Sequence, residues 1–178
     1  MHYSIYQHHQ TEEIIQLFSQ TFSDSEGTDA GKVIGSLVNE LLASTKTDDL
    51  YVFIAKEAGK IVGSILFTRL TFESGKTAFL MAPVAVATQS QGKGVGQALI
   101  KFGLETLKQQ GIELAFTYGD PNFYSKIGFE SITEQQFKAP LPLSHPHGWL
   151  AQSLTTQPLA PITGKSACVA AFNKPELW

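Results

Sequence analysis

AFLMAPVAVATQSQGKGVGQALIKFGLETLKQQ, residues 78–110, decides how this chain is read. Its first nine residues (78–86) are apolar and β-prone and predict a strand. ATQSQGKGVG predicts a turn, and QALIKFGLETLKQQ predicts an amphipathic helix. Three glycines at alternate positions (Gly92, Gly94, Gly96) open that helix, with Lys93 among them. The first N–H groups of a helix have no internal partner, and the helix dipole adds partial positive charge there. Glycine lets an anion reach the backbone with no Cβ in the way. A strand feeding such a turn is an anion site, suited to phosphate.

Working outward, Val95, Ala98, Leu99, Phe102, Gly103 and Thr106 share one face of the helix, and Gly111 stands where a C-cap glycine belongs. ELAFT (113–117) predicts a strand, so residues 78–117 read as a parallel βαβ unit. Asp120-Pro121 predicts the capped start of a short helix that Gly128 stops, with Phe123 packed in the core. Upstream, residues 50–56, 61–72 and 78–86 predict three strands joined by short turns at Gly59 and Gly75, an antiparallel meander. Gly63 is a candidate bulge.

Earlier still, HYSIY (2–6) predicts a first strand. Thr11 before Glu12 and Glu13 predicts a helix start, and Val33, Ile34, Leu37, Val38, Leu41 and Leu42 predict a second helix. Between them SDSEGTD (23–29) predicts a loop. Its three acids, Asp24, Glu26 and Asp29, either attract a cation or are simply solvated. Six of the eight prolines lie at or beyond Pro140, so residues 139–178 predict a loop-rich extension with strands at 149–154 and 166–172. Cys168 is expected as a small buried residue in the second of these strands.

The 178 residues, 43% hydrophobic and 16% charged, fit one globular domain over 1–178 and argue against disorder. Thirteen basic residues against sixteen acidic give −3, which does not suggest a nucleic-acid binder. A single cysteine allows no internal disulfide, and no pattern of three or four metal ligands appears. No apolar run approaches membrane-spanning length, and no signal peptide is read at the start. A soluble cytoplasmic protein is expected.

Two common phosphate motifs fail at named residues. The dinucleotide pattern G-x-G-x-x-G from Gly92 needs glycine where Gln97 stands. A P-loop ending at Gly75-Lys76-Thr77 needs glycine where Leu70 stands. Gln91-Gly92-Lys93-Gly94-Val95-Gly96, by contrast, resembles the Q/R-x-x-G-x-G/A signature of the GNAT N-acetyltransferase superfamily. PVAV (Pro83–Val86) resembles its pantetheine-binding strand, and Phe123-Tyr124-Ser125-Lys126-Ile127-Gly128-Phe129 resembles its Y-x-x-x-G-F segment.

The resemblance implies an α+β GNAT fold, with a mixed, mostly antiparallel central sheet flanked by helices. It implies acetyl-CoA as cosubstrate and no metal. Val84, Ala85 and Val86 would pair with the pantetheine amides. Gln91, Gly92, Lys93, Gly94, Val95, Gly96 and Gln97 would hold the pyrophosphate. The thioester would lie where strand 78–86 splays from strand 113–117, with a backbone N–H near Val84 as oxyanion donor. An amine acceptor would attack the thioester directly in a ternary complex, and Tyr124 would protonate the departing thiolate. The general base stays open among Glu73, Asp120, His145, His147 and water. The family's commoner Asn and Ala, seven and four residues before the tyrosine, are Thr117 and Asp120 here. A non-catalytic acyl-CoA-binding module is the alternative. It would keep the glycine signature without needing a general acid. Tail strands that could pair between subunits leave monomer and homodimer both open.

Overall fold

Hydrophobic period sets the first third of the chain, and the computed structural model describes all of Met1–Trp178. Strand β1 (His2–Ile5) leads to helices α1 (Thr11–Glu26) and α2 (Thr28–Ser44). Ile14, Leu17 and Phe18 of α1 are buried, as are Leu37, Val38 and Leu41 of α2. The expected loop at 23–29 is corrected here: residues 23–26 continue α1, and Gly27 alone breaks the helix, at φ 99°. The reason is packing. Ser19 and Ser23 of α1 face Gly35 and Gly31 of α2, where no Cβ would fit. That seam keeps α1 helical through its polar end.

The middle of the chain follows the meander. Strands β2 (Leu50–Glu57), β3 (Lys60–Phe72) and β4 (Thr77–Val86) are successive neighbours in the sheet. Ala58 and Gly59, both at positive φ (49° and 81°), form the two-residue turn between β2 and β3. Such turns match the twist of the strands they join. Gly63 marks a close approach: a Cβ there would lie 3.3 Å from Leu99 and 3.5 Å from Val95. Glycine therefore lets helix α3 (Val95–Gln109) settle on β3.

Helix α3 ends as its glycine predicts. Ile112 N–H donates to Leu107 O (3.1 Å) and Gly111 N–H to Lys108 O (3.0 Å), with Gly111 at φ 79°. That is a Schellman cap. Its buried face is broader than the predicted stripe, with Ile100, Leu104 and Leu107 joining Val95 and Leu99. Strand β5 (Leu114–Tyr118) pairs parallel with β4, Ala78 opposite Leu114 through Met81 opposite Thr117. The βαβ unit is therefore present, and β4–β5 is the parallel pair of a mixed sheet.

After α4 (Pro121–Tyr124), strands β6 (Glu130–Ser131), β7 (Trp149–Ser153) and β8 (Ser166–Ala167) complete eight strands. They hydrogen-bond in the order β1-β2-β3-β4-β5-β7-β6, with β8 on β3. The predicted strand at 166–172 shrinks to two residues, because Ala170–Phe172 turns as a 3₁₀ segment and buries Phe172. Cys168 thus lies outside the strand and is half-buried, its thiol pKa pushed up by burial.

Contacts gather into two compact units: Met1–Leu66 with Pro83–Gly103, and Phe67–Ala82 with Leu104–Trp178. The core of the first is largely aliphatic, around Ile14, Val38, Leu41, Ile54, Ile65 and Leu99. The core of the second is aromatic. Phe116 touches Phe72, Phe137 and Trp149 at centroid distances of 5.2–5.4 Å. Two indoles in this unit find backbone acceptors, Trp149 Nε1 on Phe137 O (2.9 Å) and Trp178 Nε1 on Phe172 O (2.8 Å). Buried indoles need such partners. No helix is long and apolar enough to cross a membrane.

Candidate active site

In the first unit, β4 ends at Val84, Ala85 and Val86. Ala85 is buried, and the two valines flanking it are half-buried. The Gln91 side-chain amide donates to Val86 O (2.9 Å) and ties the turn to the strand end. Gly92 and Gly94 follow at φ 72° and 77°, a backbone that favours glycine. A Cβ on either would meet nothing within 4 Å, so the backbone here faces open space. Lys93, between them, is exposed. Ala98 N–H to Gly94 O (3.0 Å) closes the first turn of α3. The N–H groups of Val95, Gly96 and Gln97 precede it and have no carbonyl of the helix to use. Gly96 is half-buried, and its Cβ would stand 3.4 Å from Val86, in ordinary contact. The predicted glycine turn at the start of a helix is therefore present.

Asp24 belongs to this unit as well. Its carboxylate accepts from Thr88 Oγ1 (2.6 Å) and Gln20 Nε2 (2.7 Å), and those bonds lower its pKa, Thr88 most. The residue read as part of an acidic loop is instead a tie between α1 and the turn after β4. A cavity of about 520 Å³ lies beside it, lined by Glu13, Gln16, Gln20, Ile61 and Gln89 among others.

The second unit presents Tyr124. Thr117, on β5, is buried and donates to Met81 O (2.9 Å), fixing the strand end. Asp120 caps α4 by accepting from Asn122 N–H (2.9 Å), and Pro121 holds its first position. Gly128, at φ 96°, ends the turn, and Phe129 N–H returns to Tyr124 O (3.2 Å). Tyr124 is thus pinned from both sides in a four-residue helix. Its ring meets Phe129 edge-on (5.9 Å) and lies against Gly119, where a Cβ would come within 2.8 Å of Cε2. Burial raises its phenol pKa and the Asp120 charge adds to this, while a hydrogen bond with Thr117 opposes both. The proton stays on. Phe123, expected in the core, is 36% exposed instead. It packs edge-on against Tyr124 (5.0 Å) from outside, because a single helical turn has only one inward face and Tyr124 takes it.

Three of the four base candidates come together. Asp120, His145 and His147 line one cavity of about 590 Å³ with Tyr118, Gly119, Pro121, Asn122 and Gly148. Gly119 N–H donates to Gly148 O (2.9 Å), which holds the two walls together. The fourth candidate, Glu73, lies elsewhere, exposed in the turn after β3 and beside Gly164. Tyr118, Ser144 and Trp178 carry no motif and were not singled out by sequence. Yet Tyr118 stacks on Trp178 (6.1 Å, 16°), and its hydroxyl accepts from His145 N–H (2.6 Å). No three His, Cys, Asp or Glu side chains are grouped to hold a metal ion.

Known proteins share this family and fold. A family model described as an acetyltransferase (GNAT) domain matches residues 48–131. The uncharacterized N-acetyltransferase YjhQ of Escherichia coli K12 is 38% identical over 138 residues, which cover 74% of this chain and 76% of YjhQ. The crystal structure of Escherichia coli YhbS, a GNAT family N-acetyltransferase in complex with CoA, superposes with a TM-score of 0.77 at 22% identity, covering 97% of this chain and 92% of YhbS. A GNAT family acetyltransferase from Brucella melitensis in complex with acetyl-CoA gives 0.75 at 24% identity and 97% of each chain.

Proposed function

Because this chain belongs to the GNAT N-acetyltransferase superfamily, we propose that it moves an acetyl group from acetyl-CoA to a primary amine by direct attack in a ternary complex. The pyrophosphate of the cosubstrate takes the N–H groups of Gly92–Gly96, and the pantetheine amides pair with the backbone of Val84–Val86. Gln91, Lys93 and Gln97 flank the diphosphate. The amine nitrogen attacks the thioester carbonyl carbon, the carbonyl oxygen gains charge and a backbone N–H near Val84 receives it. The C–S bond then breaks. Tyr124 gives its proton to the thiolate, which leaves as a thiol; the nitrogen, cationic after attack, sheds its surplus proton to give the neutral amide, and that proton restores the phenol through solvent. An alkyl ammonium of pKa about 10 must also lose a proton before it can attack.

The observation that carries this reading is the state of Tyr124. Its phenol is half-buried, held protonated and pinned at both ends of its turn. A module that only binds acyl-CoA has no use for a pinned acid. The test is thiol release from acetyl-CoA across a panel of primary amines, with Tyr124→Phe beside the wild type. Turnover that collapses in the variant supports the transferase. Tight acetyl-CoA binding with no turnover on any amine indicates the binding module.

A further inference from the structure

Besides the backbone bond from Ser144 N–H to Trp178 O (3.0 Å), four hydrogen bonds tie Tyr118, Ser144, His145 and Trp178 together, and their protons can be counted. Ser144 Oγ lies 2.6 Å from Trp178 O, 3.0 Å from His145 Nδ1 and 3.1 Å from Tyr118 Oη. Tyr118 Oη also accepts from His145 N–H at 2.6 Å. A hydroxyl has one proton to donate and two lone pairs to accept with, and a backbone oxygen only accepts. The single Ser144 proton therefore goes to Trp178 O. The other two partners must donate to Ser144: Tyr118 through its phenol proton, His145 through Nδ1–H. Every proton is then used once. Neutral or charged, His145 keeps its proton on Nδ1, so it exchanges protons with its surroundings at Nε2 alone.

His145 lines the cavity of about 590 Å³ that Asp120 and His147 share. Gly119 lines it too, and the ring of Tyr124 rests on Gly119. The acid of the proposed reaction thus borders the residue that walls the cavity. We propose that His145 Nε2 is the general base for this chain's acetyl transfer, with Ser144 and Tyr118 as positioning residues that fix its tautomer. This rests on the acetyl-transfer reading above. The acceptor enters as an ammonium, a charge that Asp120 in the same wall favours. One N–H proton passes to Nε2, the freed lone pair attacks the thioester, and the imidazolium later returns that proton to solvent.

The experiment compares wild type, His145→Ala and Ser144→Ala as full chains, using primary alkylamines. Thiol release is followed against pH, and acetyl-CoA binding is measured by calorimetry. His145→Ala should lower kcat/KM a hundredfold or more, leave acetyl-CoA affinity within twofold, and be partly rescued by added imidazole. Ser144→Ala keeps the imidazole but frees its tautomer, so kcat should fall about tenfold and the acidic limb of the pH profile should move. Asp120 and His147 also face this cavity, so each is replaced in turn to show that the limb follows His145, whereas Tyr118→Phe should move it as Ser144→Ala does. Nitrogen-15 spectra of the wild type should show the Nδ1–H form. Wild-type turnover with His145→Ala within twofold at every pH, or a His145 proton on Nε2, overturns this inference alone. A wild type that acetylates no amine overturns the acetyl-transfer reading and this base with it.

Discussion

At Gly92 and Gly94 an added Cβ would meet nothing within 4 Å, whereas at Gly119 and at Gly128, left-handed like the first pair, a Cβ would run into Tyr124 (2.8 Å) and Gln152 (2.6 Å). The first pair keeps the chain bent and bare. The second pair leaves room for side chains already seated. An open glycine turn with unpartnered helix-start N–H groups suits a large flexible ligand. A crowded glycine turn holds one side chain to a single position, which acid catalysis requires. On the proposed acetyl-transfer reading the two turns divide the work: one binds, the other orients.

Substitutions can break that division. The largest effect is expected at Tyr124→Phe, which keeps the ring and its packing but loses the proton. Thiol-release assays should show kcat down by about 10²–10⁴, with acetyl-CoA affinity unchanged by calorimetry. Gly119→Ala comes next. Its Cβ meets a rigid aromatic ring, and displacing Tyr124 by about 1 Å should cost roughly 10² in kcat with little change in cofactor affinity. Gly94→Ala should do the reverse. Its left-handed φ of 77° costs about 1–2 kcal/mol with a Cβ present, visible as a Tm lower by several degrees. Acetyl-CoA affinity should fall about tenfold while kcat at saturation holds. If Gly94→Ala lowers kcat alone, or Gly119→Ala lowers affinity alone, the division is wrong.

The pH response gives a subtler check. The folded pKa of Tyr124 is raised above 10.0, so the fold favours the protonated phenol. Stability from this group is fully present below the unfolded value and is lost as pH rises through the folded one. The descending limb of kcat that belongs to Tyr124 should accordingly lie above pH 10, and a pH–rate profile reads this directly. The smallest effect is expected at Asp120→Asn, which retains a side-chain acceptor for Asn122 N–H but removes a charge that helps keep Tyr124 protonated. The same limb should move slightly toward lower pH, with Tm nearly unchanged.

Local signals made much of this legible in sequence. The turn at Gly92 and Gly94 is legible because left-handed backbone selects glycine, and the helix end at Gly111 because a Schellman cap does. Asp120-Pro121 and Gly128 bracket Tyr124 through capping chemistry within ten residues. One error comes from contacts between distant elements, another from the shortness of a helix. Residues 23–26 looked like loop because their composition is polar, but glycines at 31 and 35 give their helix a place to pack. Phe123 looked like core because it is apolar, yet its four-residue helix leaves it 36% exposed and turns Tyr124, half-buried, inward.

Sequence by itself determined the strand–turn–helix at 78–110, the capped tyrosine turn and the family, since each depends on neighbours along the chain. Only the tertiary structure decided which of Glu73, Asp120, His145 and His147 stand together. It also supplied Tyr118, Ser144 and Trp178, which set the His145 proton from 27, one and 33 residues away. A hydrogen-bond network of that reach leaves no spacing in the sequence. It exists only once β5, the 144–148 segment and Trp178 have folded onto one another.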